Sequence, residues 1–124
     1  MTKRIIRALE NPYVDILGHP SGRIINRRNA YNVDIEKIFL AAKQNHKVIE
    51  INAAQERLDL RDIHIKTAVQ KDVWLSINTD AHTTSQLHQM HLGVAQARRG
   101  WAEKKNIVNT LSLKKLKSVF ERIR

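Results

Sequence analysis

The sequence predicts an α/β fold: a partial β/α barrel of about three parallel βα units followed by a C-terminal helix. Short apolar, β-branched runs recur along the chain with helix-period segments between them, which is the pattern of βαβ units. Polar side chains alternate with apolar ones inside those runs, so each strand presents one polar and one apolar face. A doubly wound sheet is apolar on both faces, whereas strands lining a barrel lumen carry polar groups inward. Three strands cannot close a barrel, so the expected structure is part of one.

The first strand is expected at Val14-Asp15-Ile16-Leu17, the second at Val48-Ile49-Glu50-Ile51 and the third at Val73-Trp74-Leu75-Ser76-Ile77. On the first, Asp15 and His19 share a parity opposite Val14 and Ile16. On the second, Glu50 and Asn52 oppose Ile49 and Ile51. On the third, Ser76, Asn78, Asp80 and His82 oppose Val73, Leu75 and Ile77. Between the strands, Ile35, Ile38, Phe39 and Ala42 recur at helical spacing with Asp34 able to cap the start. A second helix is expected from Asp59 to Gln70, its aspartates favoured near the N-terminus. A third should run from about Thr84 to Arg98, burying Leu87, Met90 or His91, and Val94. The last begins at a Ser112 cap with the stripe Leu113, Leu116, Phe120 and Ile123.

No apolar run is long enough to span a bilayer, and the basic start of the chain lacks the apolar core of a signal peptide. The absence of cysteine excludes disulfides and thiolate metal sites and fits a cytoplasmic protein. Net charge is +10 and unevenly placed. Nine basic residues lie between Arg98 and Arg124 against Glu103 and Glu121, and Arg23, Arg27 and Arg28 form a second group. Such an excess attracts phosphate-bearing partners, nucleic acid first; a solvated helix face is the plainer alternative for the C-terminal run.

The candidate chemistry lies where the first and third strands end. His19 follows one strand in Gly18-His19-Pro20, and Asp80-Ala81-His82 follows another. Asp80 and His82, two apart on extended backbone, point the same way and could reach one metal. The competing readings are a turn histidine for His19 and a helix cap for Asp80. His88 and His91 stand one helical turn apart without an evident third ligand. Glu50 and Asn52 should face the site, orienting ligands or contacting substrate, with an inter-strand salt bridge as the alternative for Glu50. Arg23, just after the His19 turn, could meet a phosphate. The sequence has no Gly-rich phosphate loop, nucleophile elbow or catalytic cysteine.

The stretch Asn11 to Arg23, then Glu50-Ile51-Asn52-Ala53 with Arg57-Leu58-Asp59-Leu60, then Asn78-Thr79-Asp80-Ala81-His82, carries a family resemblance. The segment Gly93 to Trp101 and Asn109-Thr110-Leu111 extend it over nearly the whole chain. Together they resemble the C-terminal part of a PHP (polymerase and histidinol phosphatase) domain, in the version carried by bacterial and archaeal family X DNA polymerases. The resemblance implies a distorted β/α barrel with a metal cluster at the strand C-termini, for which His19, Asp80 and His82 would be ligands. It implies a divalent metal, manganese first, with zinc, iron or magnesium as alternatives. It also implies phosphoester hydrolysis of the 3′–5′ exonuclease or DNA-end-processing kind, with Arg23 and the basic C-terminal stretch on DNA phosphates.

Residues 1–124 would then be the C-terminal portion of a single PHP domain, without its early His-x-His motif and without polymerase domains. The ligand set would be incomplete, leaving the isolated chain inactive until an N-terminal half in another chain completes it, with a homo-oligomer as the other association expected. The open edges of a cut barrel should favour such association. A non-catalytic basic nucleic-acid-binding module, a truncated remnant and a histidinol-phosphatase-like small-molecule phosphatase are the alternative readings.

Overall fold

The computed structural model describes residues 1–121. Its elements are α1 (Thr2–Leu9), β1 (Ile16–Leu17), α2 (Ile35–Gln44), β2 (Val48–Asn52), α3 (Asp62–Gln70), β3 (Leu75–Asn78), α4 (Met90–Arg99) and α5 (Leu113–Glu121), with a 3-10 turn over Thr84–Gln89 leading into α4. The sheet is parallel, in the order β1-β2-β3. This is the expected βα alternation, with an open three-stranded sheet.

Register decides which side chains share a face. Glu50 pairs with Ser76 and Asn52 with Asn78, so the polar positions of β2 and β3 lie together. Ile49 and Ile51 pair with Leu75 and Ile77 and enter the core with Ile38, Phe39 and Ile65. The parity predicted for β1 is reversed. Leu17 pairs with Ile49 and joins the apolar side, which puts Ile16 and Gly18 on the side of Glu50. Gly18 then lies against the Glu50 carboxylate, where a Cβ would sit 3.4 Å from Oε2, in van der Waals contact.

The helices differ from expectation in informative ways. α1 was not anticipated; it docks on α2 and buries Leu9 completely. Asp34 caps α2 as predicted, accepting from Lys37 N–H at 3.1 Å. α3 starts at Asp62 rather than Asp59, because Asp59 is drawn inside to a turn described below. The 3-10 turn and α4 expose Leu87, Met90 and Val94, the face expected to be buried, and α4 buries Gly93 and Ala97. Small residues win there because they allow close approach. A Cβ on Gly93 would come within 2.5 Å of Ile77 and 2.7 Å of Ala53, and one on Gly100 within 2.3 Å of Ile65. Dispersion contacts across such a close seam outweigh burial of a looser leucine stripe.

The free edge of β3 is not left open. Asn109 accepts from Ile77 N–H and donates to Ile77 C=O, both at 2.8 Å, replacing the two bonds of a neighbouring strand. Leu75 also bridges Ile107. α5 begins at the predicted cap, Ser112 accepting from Lys115 N–H at 3.4 Å, but it buries no residue and Leu113 stays exposed. Ile123 lies outside the described residues.

Candidate active site at the strand ends

The polar face of the sheet converges on one carboxylate. Glu50 is 8% exposed. Its Oε2 accepts from His19 N–H at 2.6 Å and from Asn52 Nδ2 at 3.2 Å, and its Oε1 accepts from Asn78 Nδ2 at 2.9 Å. A buried carboxylate is tolerable only with donors of this kind. The inter-strand salt bridge is not formed: among the described residues Glu50 has neutral amide donors and no cation. Asn52, 1% exposed, donates also to Asp80 Oδ2 at 3.2 Å, and Asn78 donates to Ser76 Oγ at the same distance. Asn52 therefore serves inside the network instead of facing solvent.

His19 and Asp80 both have positive φ, 29° and 55°. Three other such residues, His46, Asp72 and Trp101, follow helix C-caps, where left-handed backbone is ordinary. His19 and Asp80 instead lie just beyond strands, a conformation L-residues hold only when the surroundings require it. The Glu50 contact imposes it on one, and Arg57 with Asn52 on the other. Arg57 Nε lies 3.3 Å from Asp80 Oδ2, in a largely buried ion pair.

His82 is exposed, and its Nδ1 lies 2.7 Å from the Asp80 carbonyl. A carbonyl only accepts, so Nδ1 carries the proton and Nε2 holds the free lone pair. The helix cap that competed for Asp80 is supplied elsewhere: Thr83 and Gln86 form a capping box, with Gln86 Oε1 taking His82 N–H at 2.6 Å. His88 and His91 stack with centroids 6.1 Å apart, each turning Nδ1 to a backbone carbonyl of its own helix.

Asp59, for which the sequence suggested only a helix start, holds the site's first loop. It is fully buried and accepts from Ser21 and Gly22 N–H, each at 3.0 Å. Burial pushes its carboxyl above the usual range, opposed by these donors and by nearby Arg23. A carboxylate between Leu58 and Leu60 was the available signal. Arg23 is spent on the same loop, donating from Nε to Arg57 C=O at 2.7 Å and from Nη2 to Leu58 C=O. Arg57, also given no role beforehand, thus links the Arg23 turn to Asp80.

Two imidazoles and a carboxylate are donors that suit a divalent ion. Among the described residues, however, no three His, Cys, Asp or Glu side chains come together as a complete set of metal ligands. The donor types suit a metal ion, but the described residues do not gather His19, Asp80 and His82 into one three-ligand group.

No protein-family model matches the chain. It is 44% identical over 120 residues, 97% of its length, to DNA polymerase/3'-5' exonuclease PolX of Bacillus subtilis (strain 168). The resemblance to PHP domains of family X DNA polymerases is borne out. The chain is also 39% identical over 89 residues to a protein named probable phosphatase from Thermoanaerobacter sp. (strain X514), and 38% identical over 87 residues to another from Caldanaerobacter subterraneus subsp. tengcongensis. It spans 21% of the PolX protein and 34% and 32% of the two phosphatases. No helix among the described residues is long and apolar enough to cross a membrane.

Proposed function

We propose that the chain is the C-terminal portion of a PHP-type, metal-dependent phosphoesterase, and that His19, Asp80 and His82 are its contribution to the metal centre. The observation that carries this reading is the carboxylate-centred seam at the strand ends, which holds the backbone of His19 and the side chain of Asp80 in constrained positions. Similarity to a 3'-5' exonuclease and to phosphatases supports the reaction class. A bound divalent metal, manganese first, would supply a hydroxide at neutral pH and neutralise phosphate charge. This chain's own part is positional. Glu50 fixes the His19 turn, Asn52 and Arg57 hold Asp80, and the Asp80 carbonyl turns Nε2 of His82 outward.

The remaining ligands would come from a preceding barrel half or another copy, for which exposed Leu87, Met90, Val94 and Leu113 offer apolar surface. The substrate would be DNA, its phosphates drawn by the +10 charge, and the work DNA-end processing or repair in the cytoplasm. The test is a manganese-dependent exonuclease assay on the chain alone and mixed with the preceding half of a PHP barrel. Activity should arise only in the mixture and be lost with His82→Ala. Activity in the mixture that survives His82→Ala, or does not need the metal, overturns the ligand assignment.

A further inference from the structure

A second charged region stands beside the Glu50 seam and is built differently. Residues 23–30 fold back as a tight hairpin, closed by Ile24 and Arg28 pairing across a turn in which Asn26 has φ 62°. The hairpin is well anchored. Ile25 N–H donates to Glu56 C=O at 2.7 Å, Arg28 Nε donates to Gly22 C=O at 2.8 Å, and the Arg28 guanidinium lies 5.7 Å from the centre of the Tyr31 ring. Between this hairpin and the start of α3 lies a cleft of about 460 Å³, lined by Arg23, Arg27, Arg28 and Arg61 together with Asn26 and Asn29.

No acidic residue lines the cleft, and none of its four arginines forms an ion pair among the described residues. Asp59 and Asp62 attract Arg23 electrostatically, but their hydrogen bonds go elsewhere, Asp59 to the Ser21–Gly22 turn and Asp62 to Arg99 at 3.0 Å. The neighbouring His64 imidazole is held below its ordinary value by burial first, with Arg61 and Arg23 adding to that and Asp59 and Asp62 opposing it. Four like charges around one open cleft, Arg23 and Arg28 held by hydrogen bonds, attract a polyanion, and guanidinium forks match phosphate oxygens in pairs.

We propose that this cleft is a binding site for phosphate groups, separate from the proposed metal ligands, in which Arg27, Arg28 and Arg61 make the contacts and Arg23 holds the floor. Arg23 is assigned to the floor because its Nε and Nη2 already serve the Arg57 and Leu58 carbonyls. The site deepens the phosphoesterase reading by giving a phosphate other than the reacting one a place to be held. It does not depend on metal. Arg57 connects the two places, since its carbonyl accepts from Arg23 and its guanidinium pairs with the Asp80 carboxylate.

The test measures binding of a labelled oligothymidylate to the full chain by fluorescence anisotropy, over a range of salt and with chelator present. The variant is Arg27→Gln/Arg61→Gln, two exposed side chains with no hydrogen bond among the described residues. The control is Lys3→Gln/Arg4→Gln on α1, which removes equal charge elsewhere. Binding should weaken in the cleft variant, and its dependence on log salt should become shallower by roughly 1.4, about 0.7 for each lost phosphate contact. The control should keep the parental slope. Competition by inorganic phosphate identifies the source: displacement at low phosphate marks a site for a free phosphate group, and resistance marks a strand's backbone phosphates. Either result sustains a phosphate site. A cleft variant that behaves like the α1 control, or a parent chain that binds neither probe, overturns it. Because no metal is present, this outcome is independent of the exonuclease assay.

Discussion

At the carboxyl ends of β2 and β3, Glu50 accepts three hydrogen bonds while nearly out of contact with solvent. On the far side of Arg57, the arginines around the hairpin cleft face solvent or backbone carbonyls and form no ion pair among the described residues. The seam's polar groups are satisfied within the molecule, and the cleft's guanidinium groups are only partly so. Buried polar groups must be satisfied by the fold itself or the fold is lost, so the seam contributes stability and fixed geometry. Exposed charges face no such demand, and their excess is directed outward, toward a partner.

Substitution of Glu50 tests the first half of that contrast and should have the largest effect. Glu50→Ala leaves His19 N–H without its acceptor and removes one from both Asn52 and Asn78. It should cost about 2–4 kcal/mol in chemical denaturation. A loss under about 0.5 kcal/mol would mean that the seam is not structural. Arg23 belongs to both regions and should fall between them. Arg23→Ala frees the Arg57 and Leu58 carbonyls and should lower stability by about 1–2 kcal/mol, measured the same way.

The smallest effect concerns the cleft's own field. Folded His64 resists protonation, so the unfolded chain takes up that proton first as pH falls through about 6.5. The stability contributed by neutral His64 is therefore present above that pH and is lost below it, until the folded imidazole protonates as well. Thermal melts should show a decline on acidification that His64→Gln reduces. Arg61→Gln should leave most of it, because burial outranks the neighbouring charges as the cause. An undiminished decline in His64→Gln would assign the pH dependence to other groups.

The alternation of β2 and β3 was legible because period-two patterning reflects the pleat directly, and the observed register matches it. β1 was misread because a two-residue strand leaves almost nothing to count and Gly18 carries no side chain. α4 was misread for a related reason. An apolar-stripe argument scores Leu87, Met90 and Val94 and ignores Gly93, Ala97 and Gly100, whose value lies in what they let approach. The three proposed ligands were visible in sequence as a histidine and an Asp-x-His triplet beyond strand ends. Their supports, Arg57 and Asp59, were not, since nothing local distinguishes an arginine that holds an aspartate twenty-three residues away from one in water.

The sequence by itself determined the class of the fold, the parallel pairing of β2 and β3, and the chemical types at the strand ends. These follow from local periodicity and from residue chemistry, which the chain carries wherever it folds. Only the tertiary structure decided which polar groups satisfy one another, which helix face is buried, and that four arginines share one cleft without a carboxylate. Those outcomes depend on distances between segments remote in sequence, and the energy of a charge or hydrogen bond is set by what stands a few ångströms away.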